Sequence, residues 1–185
     1  MKITDHQRQE IISRLNGRSQ VDAFEAAKAV WQAADKRFER PLLLTLKRGR
    51  RPFNRAAAAY AMQIVSTPRT IRALENVVRN KLERPRVRGE AAEALAHCHR
   101  RKSHDVLLRA LADSSKEVRF WSAFALGEMA EPRAVSALER LAASDTRLVK
   151  GFHSVAKEAA DAIRNIQTEN LPHRRKDGCV FCVRD

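Results

Sequence analysis

The chain has 185 residues, of which 44% are apolar and 31% charged, and a formal net charge of +14. That length supports one folded domain with its own core, and that composition excludes a disordered or membrane-embedded chain. The surplus positive charge attracts polyanions, whether nucleic acid, anionic lipid or an acidic protein, and says nothing about fold. No apolar run approaches the roughly 18–20 residues needed to span a bilayer, and the opening MKITDHQRQEIISRL has no apolar stretch ahead of a small-residue cleavage site. The expectation is a cytoplasmic protein. Three cysteines, Cys98, Cys179 and Cys182, do not suggest a disulfide framework.

Taken in chain order, Thr4 to Leu15 has helical spacing through Ile11, Ile12 and Leu15. A small-residue signature then recurs five times inside helix-period patterns, at Ala26-Ala27, Ala57-Ala58, Ala91-Ala92, Ser122-Ala123 and Ala159-Ala160. Units counted from four residues earlier start at 22, 53, 87, 118 and 155, so they are 31, 34, 31 and 37 residues apart, the length of a helical hairpin. After each of the first four comes a break and a second amphipathic run, carrying Leu43 and Leu46, then Ile71, Leu74 and Val78, then Leu108 and Leu111, then Val135, Leu138 and Leu141. Pro41, Pro68 and Pro132 sit in or before a first turn, where a missing N–H does no harm. Alanine-rich first helices let backbones approach closely, and since one hairpin cannot bury its apolar face, the stack is the folding unit. No segment alternates long enough for a strand.

The stretch EVRFWSAFALGEMAEPRAVSALERLAAS, with its Val-Arg start, Ala-Leu-Gly core and Pro-Arg-Ala-Val before the second helix, resembles the HEAT-like repeats of the short type found in phycobilisome lyases and related adaptors. The resemblance covers about residues 22 to 167 and is strongest in the third and fourth units. It implies an all-α, right-handed α-solenoid of four to five hairpins. The expected layout is one repeat domain over residues 1–168, with 1–21 as an N-terminal cap, followed by a basic C-terminal tail over 169–185. The resemblance implies no function, because such repeats carry adaptors, lyases, hydroxylases and DNA enzymes alike.

Charge is concentrated early. Between Lys36 and Arg88 fifteen basic residues face three acidic ones, so +12 of the chain's +14 lies there. The densest runs fall in successive loops that a solenoid sets side by side, so Lys47, Arg48, Arg50 and Arg51 are expected beside Lys81, Arg84, Arg86 and Arg88 as one partner-binding or polyanion-binding ridge. Solvated charge that keeps the solenoid soluble is the plainer alternative.

The fourth unit has three rings in five positions, Phe120, Trp121 and Phe124. Trp121 aligns with Glu25, Ala56, Glu90 and Glu158, and Phe124 with Lys28, Ala59, Glu93 and Asp161, so both are expected to face outward. Three rings of about 150–250 Å² each exceed what a monomer leaves open, which calls for a cover, either the C-terminal tail through Val180 and Phe181 or a partner.

Cys179-x-x-Cys182 is half of a metal site that His173 could extend, with His97, Cys98 and His99 as further donors if the tail folds back; reduced thiols are the default. Deoxyhypusine hydroxylase, similar in fold, holds two irons with His-Glu pairs, and none of the six histidines here is followed by Glu. The HEAT-like alkylpurine DNA glycosylases need a carboxylate beside aromatic residues, and the block from 36 to 88 has no Asp while Trp31 and Trp121 lie in different units. No Walker loop, G-x-S-x-G elbow or Gly-rich nucleotide turn is present. The reading is therefore a non-enzymatic adaptor without a cofactor, binding an acidic protein surface. Nucleic-acid binding through the same ridge stands second, and a phycobilin-lyase-like enzyme third.

Overall fold

The computed structural model describes residues 3–98 and 101–169. Among the described residues ten α-helices follow one another: α1 (Asp5–Leu15), α2 (Gln20–Ala33), α3 (Glu39–Arg48), α4 (Pro52–Ala61), α5 (Pro68–Arg79), α6 (Pro85–Ala96), α7 (Arg101–Ala110), α8 (Lys116–Glu128), α9 (Val135–Ser144) and α10 (Val155–Glu169). Short 3-10 turns at Lys36–Phe38 and Pro132–Ala134 lead into α3 and α9. The all-α solenoid is as expected, and among the described residues the only β pairing is an isolated bridge between Leu148 and Ser154.

Local chemistry sets the helix ends. Thr4 and Gln7 close a capping box at α1, Ser19 accepts from the N–H of Asp22 at α2, and Thr67 and Thr70 form a second box at α5. Pro52, Pro68 and Pro85 open α4, α5 and α6, where φ near −65° is already helical. Helices α2 and α8 end in the same device: Ala34 and Ala130 turn left-handed, and the next carboxylates, Asp35 and Glu131, accept the N–H two residues on.

The five small-residue signatures fall in α2, α4, α6, α8 and α10, which pack in succession as one layer. The intervening helices form the second layer, and the closest partner of each is the first helix that follows it: α3 on α4, α5 on α6, α7 on α8 and α9 on α10. Alanines fill the first layer, with Ala56 through Ala59 all fully buried on α4, while leucines of the second layer, Leu42, Leu74, Leu107 and Leu138, supply bulk. The first-layer helices come so close that a Cβ on Gly127 would lie 2.8 Å from the Cα of Ala162.

Buried charge ties the loops between layers. Arg88 donates from Nη1 to Asp113 at 2.6 Å and from Nε to the Glu83 carbonyl at 3.3 Å. One unit on, Arg119 donates from Nε to Asp145 at 2.7 Å and from Nη1 to the Asp113 carbonyl. Asn54 takes the same register in the second unit and donates to the carbonyls of Leu15 and Gly17. Each of these side chains reaches into a neighbouring inter-helix loop. A lighter set of ties joins second-layer helices laterally, Thr67 to Glu39 and Ser103 to Glu75.

The Asp113 carboxyl is fully buried against an almost fully buried Arg88, so removing it strands a charge in the interior. Asp113→Ala is expected to lower unfolding stability by about 3 kcal/mol, whereas Asp5→Ala at the exposed Arg37 pair should cost under about 1 kcal/mol. Urea denaturation of the two variants measures the contrast.

Candidate interaction surface

Arg55 holds the two basic loops together. Its Nε and Nη2 take both Glu83 oxygens at 2.7 and 2.8 Å, and its Nη1 takes the Gly49 carbonyl at 2.8 Å. Loop 49–51 therefore lies beside loop 80–84, the adjacency that the repeat spacing implies. The chemistry along the ridge is nevertheless divided. Lys47, Arg48, Arg50 and Arg84 are exposed, Arg51 is half-buried, and none of the five has an ion pair among the described residues.

Three residues expected on that ridge do other work. Arg88 is buried and spent on Asp113, so it is a structural group and not a surface one. Lys81 is exposed along its length but is paired with the same Asp113 carboxylate. Arg86 lies on the first-layer face, with its guanidinium 5.0 Å from the centre of the Phe24 ring and 3.8 Å from Glu90. The sequence shows charge but not partners: the acids that neutralise these groups, Asp113 and Glu90, come from another inter-helix loop or from the next turn of the same helix.

The rings of α8 also depart from expectation. Phe120 is only 1% exposed and packs with Val149 and Val155. Trp121 and Phe124 are half-buried; Trp121 meets Phe124, Phe120 and Phe152 edge-on at 5.7, 5.1 and 5.0 Å between centres. The cover is the α9–α10 connection, residues 145–154, pinned by Val149 N–H to His153 O and Ala156 N–H to Asp145 O. Neither tail nor partner is needed for Phe120. Trp121 also lies over Gly89, where a Cβ would be 2.8 Å from its Cδ1. The outward reading holds in part: Trp121 and Phe124 keep partial exposure and Glu25 and Lys28 are exposed on α2, while on the later first-layer helices Ala56, Ala59 and Glu158 are buried and Glu90 and Glu93 half-buried.

In the sequence Glu90 and Glu93 stand only as counterparts of Trp121 and Phe124, and nothing there shows that packing shields their carboxyls. Burial, then repulsion from Glu93, pushes the Glu90 carboxyl up to about 8; burial pushes Glu93 up to about 7. A groove of about 490 Å³ between α1 and α3 was also missed, lined by Gln9, Ile12, Asn16, Arg40, Pro41, Leu44, Thr45, Arg48 and Gly49. Cys179, Cys182 and His173 lie outside the described residues, as do His99 and the tail face of Val180 and Phe181. Among the described residues no three His, Cys, Asp or Glu side chains group as metal ligands. Nor is any described helix long and apolar enough to cross a membrane.

Residues 79–151 match the family model of HEAT repeats. Those residues are thereby HEAT repeats. The whole solenoid is similar in fold to a chain of the complex of CpcE and CpcF of phycocyanin lyase from Nostoc sp. PCC7120, at 17% identity and a TM-score of 0.66, covering 89% of this chain and 99% of that one. Human deoxyhypusine hydroxylase in complex with glycerol aligns at 16% identity and a TM-score of 0.42 over 86% and 84% of the two chains. These likenesses are to solved structures, and no curated protein matches the sequence. At such identity the likeness to the lyase complex is one of fold.

The raised carboxyls of this HEAT face make stability pH-dependent. A carboxyl raised in the folded state favours folding fully below its unfolded value of 4.5, and that contribution is lost as pH rises through about 7 to 8. Glu90→Gln should therefore gain about 1–3 kcal/mol over the parent at high pH, and much less at pH near 5, because Arg86 at 3.8 Å compensates the buried charge only weakly. Thermal melts of both proteins across this range decide it.

Proposed function

We propose that this HEAT-repeat protein is a non-enzymatic adaptor that engages an acidic protein surface through the ridge formed by loops 49–51 and 80–84 and the end of α3. The observation that supports this reading best is the exposure of Lys47, Arg48, Arg50 and Arg84, with Arg51 half-buried, at the end of α3 and on two loops that Arg55 holds together. These cations lack ion pairs among the described residues, while Arg55, Arg88 and Arg119 nearby are each matched to a carboxylate. Unmatched charge on a pre-ordered ridge speeds encounter and selects partners by sign. An α-solenoid offers that ridge as part of an extended, rigid face.

Phosphate-backbone binding by the same ridge is the second reading, because the same unpaired guanidiniums would serve it. A lyase role draws only on fold likeness to the Nostoc phycocyanin lyase complex, and fold carries no chemistry by itself.

The combined variant Lys47→Glu, Arg50→Glu and Arg84→Glu, at exposed positions, should keep its melting temperature and lose tenfold or more in affinity for poly-L-glutamate. Wild-type affinity should fall steeply between about 50 and 200 mM salt. Binding that the reversal leaves unchanged overturns the reading, and tighter salt-dependent binding of DNA or RNA than of poly-L-glutamate replaces it with the second.

A further inference from the structure

The α1–α3 groove opens at its α3 end onto the basic ridge, since Arg48 and Gly49 line both. Along α3, Arg40, Leu44 and Arg48 follow at four-residue spacing and share one face, so two guanidiniums bracket a leucine over about 12 Å of helix. Leu44 is 47% exposed, and half-buried Ile12 and Pro41 continue the apolar floor beside it. Neither Arg40 nor Arg48 has an ion pair among the described residues, although Arg37 just ahead of α3 is paired with Asp5 and Asp35. Arg40, Leu44 and Arg48 lie outside the buried set of α3, which is Leu42, Thr45 and Leu46.

The charges decide what can fill the groove. A second copy of this chain carries +14, and its own stripe would set arginine against arginine. The run His173-Arg174-Arg175-Lys176 of the same chain is cationic too. A phosphate backbone would match the guanidiniums but not the leucine, isoleucine and proline between them, and among the described residues no aromatic ring lines the groove for a base to stack on.

We infer that the groove takes a segment of a partner protein with one apolar anchor flanked, about a turn to either side, by carboxylates. The anchor covers Leu44 and Ile12, and the carboxylates meet Arg40 and Arg48. This rests on the adaptor reading and adds to it a place, a polarity and an anchor. Charge on the ridge draws the partner in, and the apolar contact selects which acidic segment stays.

The test uses the full chain and four fluorescent probes: poly-L-glutamate, a single-stranded oligouridylate, and two peptides of about 16 residues with glutamates about a turn either side of a central leucine or, in the second, alanine. Wild type should bind the leucine peptide at least about fivefold more tightly than the alanine peptide. Leu44→Asp should abolish that difference while changing affinity for poly-L-glutamate by less than about twofold. The pair Arg40→Glu and Arg48→Glu should weaken the leucine peptide about tenfold or more. Circular dichroism confirms that each variant folds, and Leu44→Ser stands in if Leu44→Asp does not. Equal binding of the two peptides beside firm binding of poly-L-glutamate overturns the groove inference and leaves the adaptor reading standing. Failure of poly-L-glutamate to bind overturns both, and oligouridylate binding more tightly than the leucine peptide overturns the groove inference in favour of nucleic acid.

Discussion

Close approach of the first-layer helices is the constraint from which the other features follow. Alanine at position after position of α4 and α6, and glycine at 127 against Ala162, let those backbones lie side by side. Contact that close narrows the solvent strip on the layer's free face from α4 onward. The side chains there are consequently pressed together: Arg86 onto the Phe24 ring, Trp121 onto Gly89, and Glu90 beside Glu93 with both carboxyls raised by burial. One choice of residue size thus governs packing, burial and protonation on a whole face.

The same closeness brings inter-helix loops of successive units within reach of one another, and long basic side chains exploit it. Arg55, Arg88 and Arg119 each leave a first-layer helix near its start and join two loops, so the solenoid edge is bound lengthwise by charge-assisted hydrogen bonds. Only arginine offers enough donors in a fixed fork to bond a carboxylate and a carbonyl together. This splits the basic complement in two. Part of it is consumed in holding loops in place, and another part, at 47, 48, 50, 51 and 84, stands at the end of α3 and on the two loops that Arg55 joins. An ordered cation ridge loses little further freedom on binding, which favours recognition over mere solubility.

The fourth unit shows how a repeat can be modified without being abandoned. Trp121 and Phe124 stand where sibling units mostly carry small or acidic residues, and the connection after α9 is longer than the others, running from 145 to 154. Ring and loop belong together: Phe120 fills the space beneath Val149 and Val155, and Phe152, 53% exposed, closes over Trp121. Alignment against siblings marked the rings as unusual. It could not show what covered them, because the cover is an irregular segment with no counterpart in the other units.

The sequence by itself determined the helical repeat, its spacing, the alternation of alanine-rich and leucine-bearing helices, and the segment where positive charge collects. Those features depend on residue type and periodicity within about thirty residues, which is the range over which local propensity and amphipathic pattern operate. Only the tertiary structure decided which arginines are free, that Arg88 is buried, that Glu90 and Glu93 are shielded, and that Arg40, Leu44 and Arg48 border a groove with α1. Each depends on a neighbour roughly one repeat away, Asp113 for Arg88, Trp121 beside Gly89, or Ile12 for Leu44. A periodic pattern says that such neighbours exist; packing decides which atoms meet.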